Sequence, residues 1–284
     1  MKNLTTLFLT VLFSFSMLAN VSLSEKDALV KLYQATNGNQ WTVKWDLSSP
    51  VSTWYGVKLQ GEKVVSINLA DNNLNGEIPS DIVNLVSLQE LNLHKNHLSG
   101  KIPSDIGNLK NLKVLNLSFN NLSGTIPSSV CQMNNLKDLE LYMNMLSGEL
   151  PAQIGALKQL EVLSLYNNEI TGQIPTSLYD VKTIKILLLS SNKFIGALSR
   201  DVVNMSSLEN LSLFDNKMNG QVPFELEKLN KLKEMNISYN MFNGLVSKDL
   251  AVLDALNMTM INDRGVAVLL DVTSNKNTAI VSED

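Results

Sequence analysis

The sequence contains little of what most enzymes and metalloproteins need. It has 284 residues but only one cysteine and two histidines, and its formal net charge is −4 at pH 7. One cysteine excludes an internal disulfide framework and a multi-cysteine zinc site. The slightly acidic balance provides no basic surface for nucleic acid. No apolar run reaches the ~20 residues of a membrane span. The composition therefore points away from disulfide-rich, zinc-binding, nucleic-acid-binding and membrane-spanning proteins.

Two residue types dominate the chain instead. Leucine (48 residues) and asparagine (34 residues) together supply 82 of the 284 positions. Asparagine is a poor helix former and is common in turns. A chain rich in both must alternate buried apolar residues with turn-like polar residues at short intervals. At 44% hydrophobic and 18% charged residues, it is too apolar to be intrinsically disordered.

The first segment, residues 1–22, is predicted to be a secretory signal peptide. Lys2 is its only charge, an apolar stretch at residues 7–13 follows, and small residues lie around Ser16 and Ala19, which is the pattern of a cleaved export signal. A membrane anchor is the alternative, but the apolar run is short and is interrupted by serine. We therefore expect a secreted, extracellular protein, or a periplasmic one if the source is bacterial.

A 24-residue repeat occupies residues 64–255. A glycine follows each repeat asparagine by four residues, and in most units a proline follows that glycine by three. The eight repeat asparagines are Asn72, Asn96, Asn120, Asn144, Asn168, Asn192, Asn216 and Asn240. Eight units without insertion or deletion predict a stacked solenoid, in which each coil contacts only its neighbours. The asparagine side chains are predicted to form a structural ladder of hydrogen bonds to backbone groups of the turns and of neighbouring coils.

Seven positions of every unit hold Leu, Ile, Val, Met or Phe. In the second unit they are Leu88, Leu91, Leu93, Leu98, Ile102, Ile106 and Leu109. The alternation at Leu91 and Leu93 predicts a short strand with one buried face. The remaining spacing fits no long helix, because proline and glycine would interrupt it. Stacked coils would share one continuous core made of these residues.

The repeat resembles that of a known family. Residues 112–127 read LKVLNLSFNNLSGTIP, which is similar to the motif LxxLxLxxNxLxGxIP of plant-type leucine-rich repeats. That class includes the ectodomains of receptor-like kinases and polygalacturonase-inhibiting proteins, with related repeats in secreted bacterial proteins. The resemblance implies an α/β solenoid, a right-handed superhelix with a parallel β-sheet on its concave face and short 3-10 or loop segments on its convex face.

Residues 23–63 are predicted to form an N-terminal cap with one helix, at residues 24–36, and three tryptophans. Ser24 is a plausible N-cap. Trp41, Trp45 and Trp54 are expected to cover the apolar end of the first coil. Residues 54–57 match the W-x-G-V motif of the plant-type cap, but the cysteines that flank this motif in the family are replaced by Ser52 and Leu59. The missing disulfide favours a secreted bacterial relative.

The repeat pattern decays towards the C-terminus. Residues 256–274 are predicted to be a degenerate ninth repeat or C-terminal cap, with a last strand at residues 256–261 and residues 266–272 folding over the end of the solenoid. Arg264 stands where a ninth repeat asparagine would be, and Thr259 replaces a core leucine. The polar residues 275–284 are predicted to be a loose tail.

The sequence offers little for catalysis, a cofactor or a metal. His94 and His97 lie in one repeat, whereas Cys131 lies more than one coil later at a position outside the strand, so a Cys–His nucleophile pair is not expected. No metalloprotease, phosphate-binding, serine-hydrolase or dinucleotide motif occurs, and the carboxylates look scattered. We predict a non-enzymatic protein with no cofactor and no metal site.

The exposed aromatic residues of the concave face are the better candidates for function. They occur one or two residues before the repeat asparagines, at positions that alternate with the buried leucines. The predicted ligand-binding residues are His94, Phe119, Tyr142, Met143, Tyr166, Phe214 and Tyr239. They favour a secreted module that recognises a protein or peptide. The alternatives are an extracellular polysaccharide-binding protein, in which Tyr142 and Tyr166 stack on sugar rings, and a purely structural surface protein. The ligand itself and the oligomeric state are not predicted.

Overall fold

A computed structural model describes residues 21–254, 256 and 258–273. The predicted signal peptide falls outside this part except for its last two residues, and the predicted tail at 275–284 lies wholly outside it. Within the described chain each 24-residue unit forms one coil of a solenoid. A long sheet lies on one face of the solenoid, 3-10 helices lie on the other, and a helix covers the N-terminal end. This is the architecture that the repeat predicts.

The main sheet has nine strands in a simple order along the solenoid. They are β1 (Val57–Gln60), β2 (Lys63–Asn68), β3 (Glu90–Asn92), β4 (Val114–Asn116), β5 (Asp138–Glu140), β6 (Val162–Ser164), β7 (Ile186–Leu188), β8 (Asn210–Ser212) and β9 (Glu234–Asn236). The first pair is antiparallel and all later pairs are parallel. Residues 24 apart are direct neighbours, as in Leu115 beside Leu139. Equivalent positions of the repeat therefore form columns across the sheet. We call its solvent-facing side the concave face.

The opposite face is built from 3-10 helices. Those of the coils are Ser80–Asn84, Ile106–Asn108, Ser128–Gln132, Ile154–Ala156, Thr176–Asp180, Arg200–Asn204 and Phe224–Lys228, and two more, Gly38–Gln40 and Val51–Thr53, lie in the N-terminal cap. Prolines such as Pro79 and Pro127 immediately precede several of them. Because proline holds φ near −65°, it directs the chain into the turn.

Short strands pair along the side of the solenoid between these two faces. They are Asn75–Glu77 with His97–Ser99, then Ser123–Gly124, Met145–Glu149 and Glu169–Thr171, and then Ile195–Gly196, Lys217–Gln221 and Met241–Asn243. They also pair in parallel. Each coil is thus bonded to its neighbours at more than one place around its circumference.

The core is the predicted set of inward positions. All 56 of these residues are buried except Leu232 and Leu253, which are partly buried in the last complete coil. The buried side chains form one cluster that runs the length of the solenoid. Each fully buried apolar side chain contributes about 1.5–3 kcal/mol, so stacking provides a core that no single coil could form.

The repeat asparagines connect each coil to the preceding one. The Asn168 amide donates to the carbonyl of Leu165 in its own coil and to that of Leu141 in the preceding coil. Its Oδ1 accepts from the backbone N–H of Leu146, at 3.0 Å. The same three links recur at Asn96, Asn120, Asn144, Asn192, Asn216 and Asn240. Asn72 bonds the backbone of Val43 in the cap instead. These side chains therefore bond main-chain groups rather than one another.

The N-terminal helix α1 spans Leu23–Ala35, and its cap differs from the prediction. Ser22, not Ser24, is the N-cap and accepts from the backbone N–H of Glu25. Both serines have an acidic residue three positions later, so sequence alone did not separate them. Burial decides between them, because Glu25 is only 2% exposed and also accepts from the backbone of Val64 in β2.

The three tryptophans pack together in the N-terminal part of the chain. The rings of Trp45 and Trp54 stack at 4.7 Å, and Trp41 meets Trp45 edge-on at 4.9 Å. Each indole N–H donates to a backbone carbonyl, and all three residues are buried. Because they are enclosed and satisfied in this way, they offer no ring surface to a ligand.

The C-terminal end follows the prediction only in part. The last strand is shorter than residues 256–261, because it spans Thr259–Ile261 and leaves Leu256 in a turn. It pairs antiparallel with Ala267–Leu269, and Asp271–Thr273 pairs with Leu245–Ser247. Within residues 266–272 only Leu270 is buried. The segment extends these sheets but leaves most of its apolar side chains in solvent.

Candidate functional site

Four aromatic side chains from neighbouring coils meet on the concave face, and we call them the aromatic cluster: His94, Phe119, Tyr142 and Tyr166. The two tyrosine rings stack with centroids 4.4 Å apart and planes 11° apart. Phe119 lies edge-on to both Tyr142 and His94, at 6.3 and 5.7 Å. His94 Nδ1 is 2.8 Å from Ser118 Oγ, which orients its ring. The 24-residue register brings these residues together because it aligns equivalent positions of successive coils.

Phe214 and Tyr239 form a separate pair. Their ring centroids are 5.2 Å apart. The intervening coil carries Ser190 and Ser191 where the coils on either side carry an aromatic residue. The predicted aromatic surface is thus divided into two groups, and the larger one is the aromatic cluster.

Three of the predicted residues lie in turns rather than on the strand face. Phe119, Met143 and Tyr239 each precede a repeat asparagine and have φ values of 59°, 53° and 58°. This left-handed conformation is unfavourable for large side chains. The chain turns here because the following asparagine binds the carbonyls of the turn, as Asn120 does with Ser118. The alternation inferred from sequence therefore ends two residues before each asparagine.

A groove of about 630 Å³ runs beside these turns. Apolar side chains line its middle, and polar or charged side chains line its ends. The lining includes Asp71, Lys95, His97, Phe119, Met143, Met145 and Asn167. Phe119 belongs to both the groove and the aromatic cluster, so the two surfaces are continuous.

The strand face also carries residues that the sequence-based selection missed. Asp138 and Glu140 alternate with buried Leu139 on β5, directly before Tyr142. Ser164, on β6, lies beside Glu140 in the register of the sheet. It is 3% exposed, and its hydroxyl has no hydrogen-bond partner. The same alternation that predicted Tyr142 extends back through Glu140 and Asp138, so the sequence did contain this signal.

Burial changes the acidity of these groups. It raises the pKa of Glu140, and the neighbouring Asp138 raises it further, while a hydrogen bond from Asn116 acts in the opposite direction. Burial, followed by repulsion from Glu161, also raises the pKa of Asp138, while the charges of Lys137 and Lys185 act in the opposite direction. Burial raises the pKa of Tyr166, and Tyr142 and Glu140 add to that shift. The site therefore disfavours additional negative charge, and the raised pKa keeps Tyr166 protonated at neutral pH.

Glu140→Gln should stabilise the protein at neutral pH. Folding raises the pKa of the Glu140 carboxyl, so the folded state favours its protonated form. The contribution of this carboxyl to the free energy of unfolding is therefore present below the ordinary pKa of 4.5 and is lost as the pH rises through the raised pKa. We expect a gain of at most about 1 kcal/mol at pH 7, because the carboxylate is still partly hydrated, or about 2–4 °C in Tm. Thermal melts across pH measure this difference. It should shrink below pH 4.5, and a variant less stable than the parent at pH 7 contradicts the prediction.

The remaining candidate residues do not assemble into a reactive centre. His94 is on the concave face and His97 is in the side groove, whereas Cys131 is buried in a 3-10 helix of the opposite face. Burial also raises the pKa of the Cys131 thiol. Among the residues that the structure describes, no three His, Cys, Asp or Glu side chains are grouped to hold a metal ion.

Models of leucine-rich repeats match most of the chain. A leucine-rich repeat region matches residues 135–262, two copies of the repeat match residues 86–130, and a single repeat matches residues 63–85. Over 94 residues, 32% of this chain, the sequence is 37% identical to the leucine-rich repeat receptor protein kinase EMS1 of Arabidopsis thaliana. That stretch is 8% of EMS1.

Two solved structures extend the similarity. The structure of PEPR1-AtPEP1 is 28% identical with a TM-score of 0.72, and the match covers 88% of this chain and 42% of that chain. The LRR ectodomain of the plant membrane receptor kinase GASSHO1/SCHENGEN3 from Arabidopsis thaliana, solved with CASPARIAN STRIP INTEGRITY FACTOR 2, is 26% identical with a TM-score of 0.71. That match covers 81% of this chain and 31% of that one. The chain spans less than half the length of these relatives, and they give no support to the predicted bacterial origin.

The comparisons agree with the architecture described above. The nine-stranded main sheet, the 3-10 helices of the opposite face and the N-terminal helix are those of a leucine-rich repeat solenoid. No helix within residues 21–254, 256 and 258–273 is long and apolar enough to cross a membrane. The chain is a plant-type leucine-rich repeat protein, similar to the leucine-rich repeat ectodomains of plant receptor kinases.

Proposed function

We propose that the protein is a non-enzymatic recognition module that binds a peptide, or an extended segment of a protein, on its concave face. The observation that carries this proposal is the aromatic cluster, whose side chains come from successive coils and remain accessible. Phe119 is 42% exposed, although its neighbours could have buried it. Accessible aromatic side chains of this kind are common anchors in protein recognition.

The spacing of the sheet suits an extended chain. Successive coils are ~4.8 Å apart, and an extended peptide advances ~3.4 Å per residue. A short peptide lying across several coils would therefore meet the aromatic cluster and the adjoining groove. The structures of PEPR1-AtPEP1 and of GASSHO1/SCHENGEN3 in complex with CASPARIAN STRIP INTEGRITY FACTOR 2 support this proposal by similarity. A protein partner, as the resemblance to polygalacturonase-inhibiting proteins implies, would use the same surface.

Polysaccharide binding is the alternative, and the tyrosine geometry favours it less. A sugar ring needs the open face of an aromatic side chain. Tyr142 and Tyr166 stack face to face at 4.4 Å, so each covers one face of the other. Tyr142 also has His94 within 6.1 Å. The cluster thus presents edges and hydroxyls more than flat faces, which suits side chains and backbone groups of a peptide.

Replacing Tyr142 and Tyr166 together with alanine should weaken peptide binding by about 100-fold, because two aromatic anchors are lost. The binding partners are peptides selected with the parent protein from a random library displayed on phage, and affinities are measured by calorimetry. Phe224→Ala is the matched control, since Phe224 is 43% exposed but lies in a 3-10 helix of the opposite face. Unchanged affinity for every recovered peptide in the tyrosine variant sinks the proposal. If the parent protein binds only polysaccharides, and the variant with both tyrosines replaced no longer binds them, polysaccharide binding replaces peptide binding as the proposed function.

Phe119→Asn should separate stability from binding. Asparagine tolerates the left-handed conformation of Phe119 better than phenylalanine does, so we expect unchanged or slightly higher stability, by up to about 1 kcal/mol. Peptide affinity should fall by about tenfold, because the exposed ring is lost. Denaturant unfolding and calorimetry measure the two effects. A loss of stability with unchanged affinity would show that the ring serves the fold.

We also propose that the module acts outside the cell, which follows from the predicted signal peptide at residues 1–22. Ser22, at the end of that segment, caps α1, so cleavage shortly before it would leave the folded cap intact. Expression of the full sequence in a secreting host, followed by N-terminal sequencing of the product, tests this. An uncleaved product retained in the cells would contradict it.

A further inference from the structure

The charges on the concave face have one sign. In the coils of β2 to β9, three outward positions of each coil form the concave face. Two of them lie within the strand, and the third lies two residues after its end. The charged residues at these positions are acidic: Glu90, Asp138, Glu140 and Glu234. Lysines occur one residue before the strands instead, where Lys137 and Lys185 both pair with Glu161. A ligand lying across the strands therefore meets negative charge.

None of these four acids forms an ion pair within the part of the chain that the structure describes. Glu90 accepts from Ser66 Oγ, Glu234 from the Asn210 amide and Glu140 from the Asn116 side chain. Two of the four, Asp138 and Glu140, are neighbours. Both lie on β5, two residues apart on the same face and next to the aromatic cluster. The charges of Lys137 and Lys185 act on Asp138 without forming an ion pair with it, and partly buried carboxylates that are not paired are unfavourable until a cation reaches them.

A second, independent feature points to a ligand at the same place. Ser164 is on β6, directly beside Glu140 in the register of the sheet. It alternates with buried Leu163 and Leu165, so its side chain is on the concave face. Its hydroxyl is buried and, alone among the buried side-chain oxygen and nitrogen atoms of the described residues, has no hydrogen-bond partner. Such a group carries a free-energy penalty that a ligand donor would remove.

The tyrosine hydroxyls beside these groups also suit a cation. Tyr142 and Tyr166 cover one face of each other and present their hydroxyls, and a phenol oxygen accepts hydrogen bonds from cationic donors. Arginine fits the combination better than lysine. Its planar guanidinium has five N–H donors, enough to reach both carboxylates and the hydroxyls, whereas the lysine ammonium is a compact, strongly hydrated charge with three donors.

We propose that Asp138, Glu140, Ser164, Tyr142 and Tyr166 form a subsite for the guanidinium group of an arginine side chain in the bound peptide. The carboxylates accept its N–H groups, Ser164 Oγ is a further acceptor beside Glu140, and the hydroxyl oxygens of the two tyrosines complete the set of acceptors. The subsite deepens the peptide-binding function proposed above and rests on it.

The test uses the full chain and phage-selected peptides. Peptides recovered from the random library should be enriched in arginine. In synthetic copies, replacing the enriched arginine with citrulline, which keeps the shape but removes the charge, should weaken binding by about tenfold or more. Glu140→Gln should have an effect of the same size. Ser164→Ala should leave the melting temperature unchanged or higher and weaken only the arginine-containing peptides.

The matched control is Glu234→Gln, which removes an acid from the same face but at β9, away from the aromatic cluster. It should leave affinity within about twofold, since distant exposed charges contribute little at physiological salt. Peptides that require Tyr142 and Tyr166 but bind equally well with citrulline overturn the arginine subsite and leave the proposed function standing. Peptides that bind independently of both tyrosines overturn the proposed function itself.

Discussion

Replacing Asn168 with leucine should lower the stability of the solenoid by about 3 kcal/mol. The side chain is 9% exposed and links two coils by accepting from Leu146 and donating to Leu141 and Leu165. Leucine has similar bulk but leaves the backbone N–H of Leu146 without a partner. The carbonyls of Leu141 and Leu165 each lose one of two asparagine donors and still accept from Asn144 and Asn192. An unpaired buried group costs about 1–3 kcal/mol and each lost hydrogen bond about 0.5–1.5 kcal/mol, and the added apolar burial offsets part of that. In a protein of this size the change corresponds to roughly 6–12 °C in Tm.

The effect should be local as well as global. Hydrogen exchange at the amide of Leu146, which donates to Asn168 Oδ1, should become faster than exchange at amides of distant coils. Asn121→Leu is the matched control, because Asn121 is exposed and its side chain makes no such link. We expect the control to change stability by no more than about 0.5 kcal/mol. If Asn168→Leu melts with the parent and protects Leu146 equally well, the asparagine links do not stabilise the stack.

Phe194→Ala should cost about 3–5 kcal/mol, or roughly 6–20 °C in Tm. Phe194 is fully buried at a position where most coils have leucine, isoleucine or methionine. Truncating it leaves a cavity in the middle of the continuous core. Because each coil is supported by its two neighbours, the cavity weakens both interfaces. Calorimetry or denaturant unfolding measures the loss.

Two variants separate cavity formation from other effects. Phe194→Leu restores the residue that the repeat favours and should cost less than about 1.5 kcal/mol. Phe224→Ala removes a ring that is 43% exposed on the opposite face and should cost less than about 1 kcal/mol. Equal losses for Phe194→Ala and Phe224→Ala would contradict the assignment of Phe194 to the core.

The repeat made the coil predictable because one pattern is used in every unit. Leu115, Leu139 and Leu163 recur at the same position and face inward in the same way. The ends were less predictable, since each is built from a sequence used only once. Ser22 and Ser24 offered equivalent caps, and only the burial of Glu25 against β2 selected Ser22. The C-terminal segment extends side strands and leaves residues such as Val268 exposed.

The candidate site was predictable in its residue types but not in its geometry. Sequence places Tyr142 and Tyr166 at equivalent positions, which implies neighbouring side chains ~5 Å apart. That their rings stack at 4.4 Å depends on side-chain conformation, as does the edge-on contact of Phe119. Asp138 and Glu140 looked like ordinary surface acids in the sequence. Their raised pKa values follow mainly from burial, which comes from neighbouring coils.

Because the chain has few cysteines and histidines, its sequence pointed away from metal and thiol chemistry. Its many leucines and asparagines, in a regular repeat, predicted a stacked scaffold. The sequence by itself determined the coil, its register and its inward residues, because a 24-residue period aligns equivalent positions whatever their neighbours are. The tertiary structure alone decided that Phe119 projects from a left-handed turn and that Ser164 is buried beside Glu140 without a partner. The burial of Ser164 arises between residues 24 positions apart, where side-chain packing and exclusion of water set geometry and charge, and the turn at Phe119 needs the bond that Asn120 makes to Ser118.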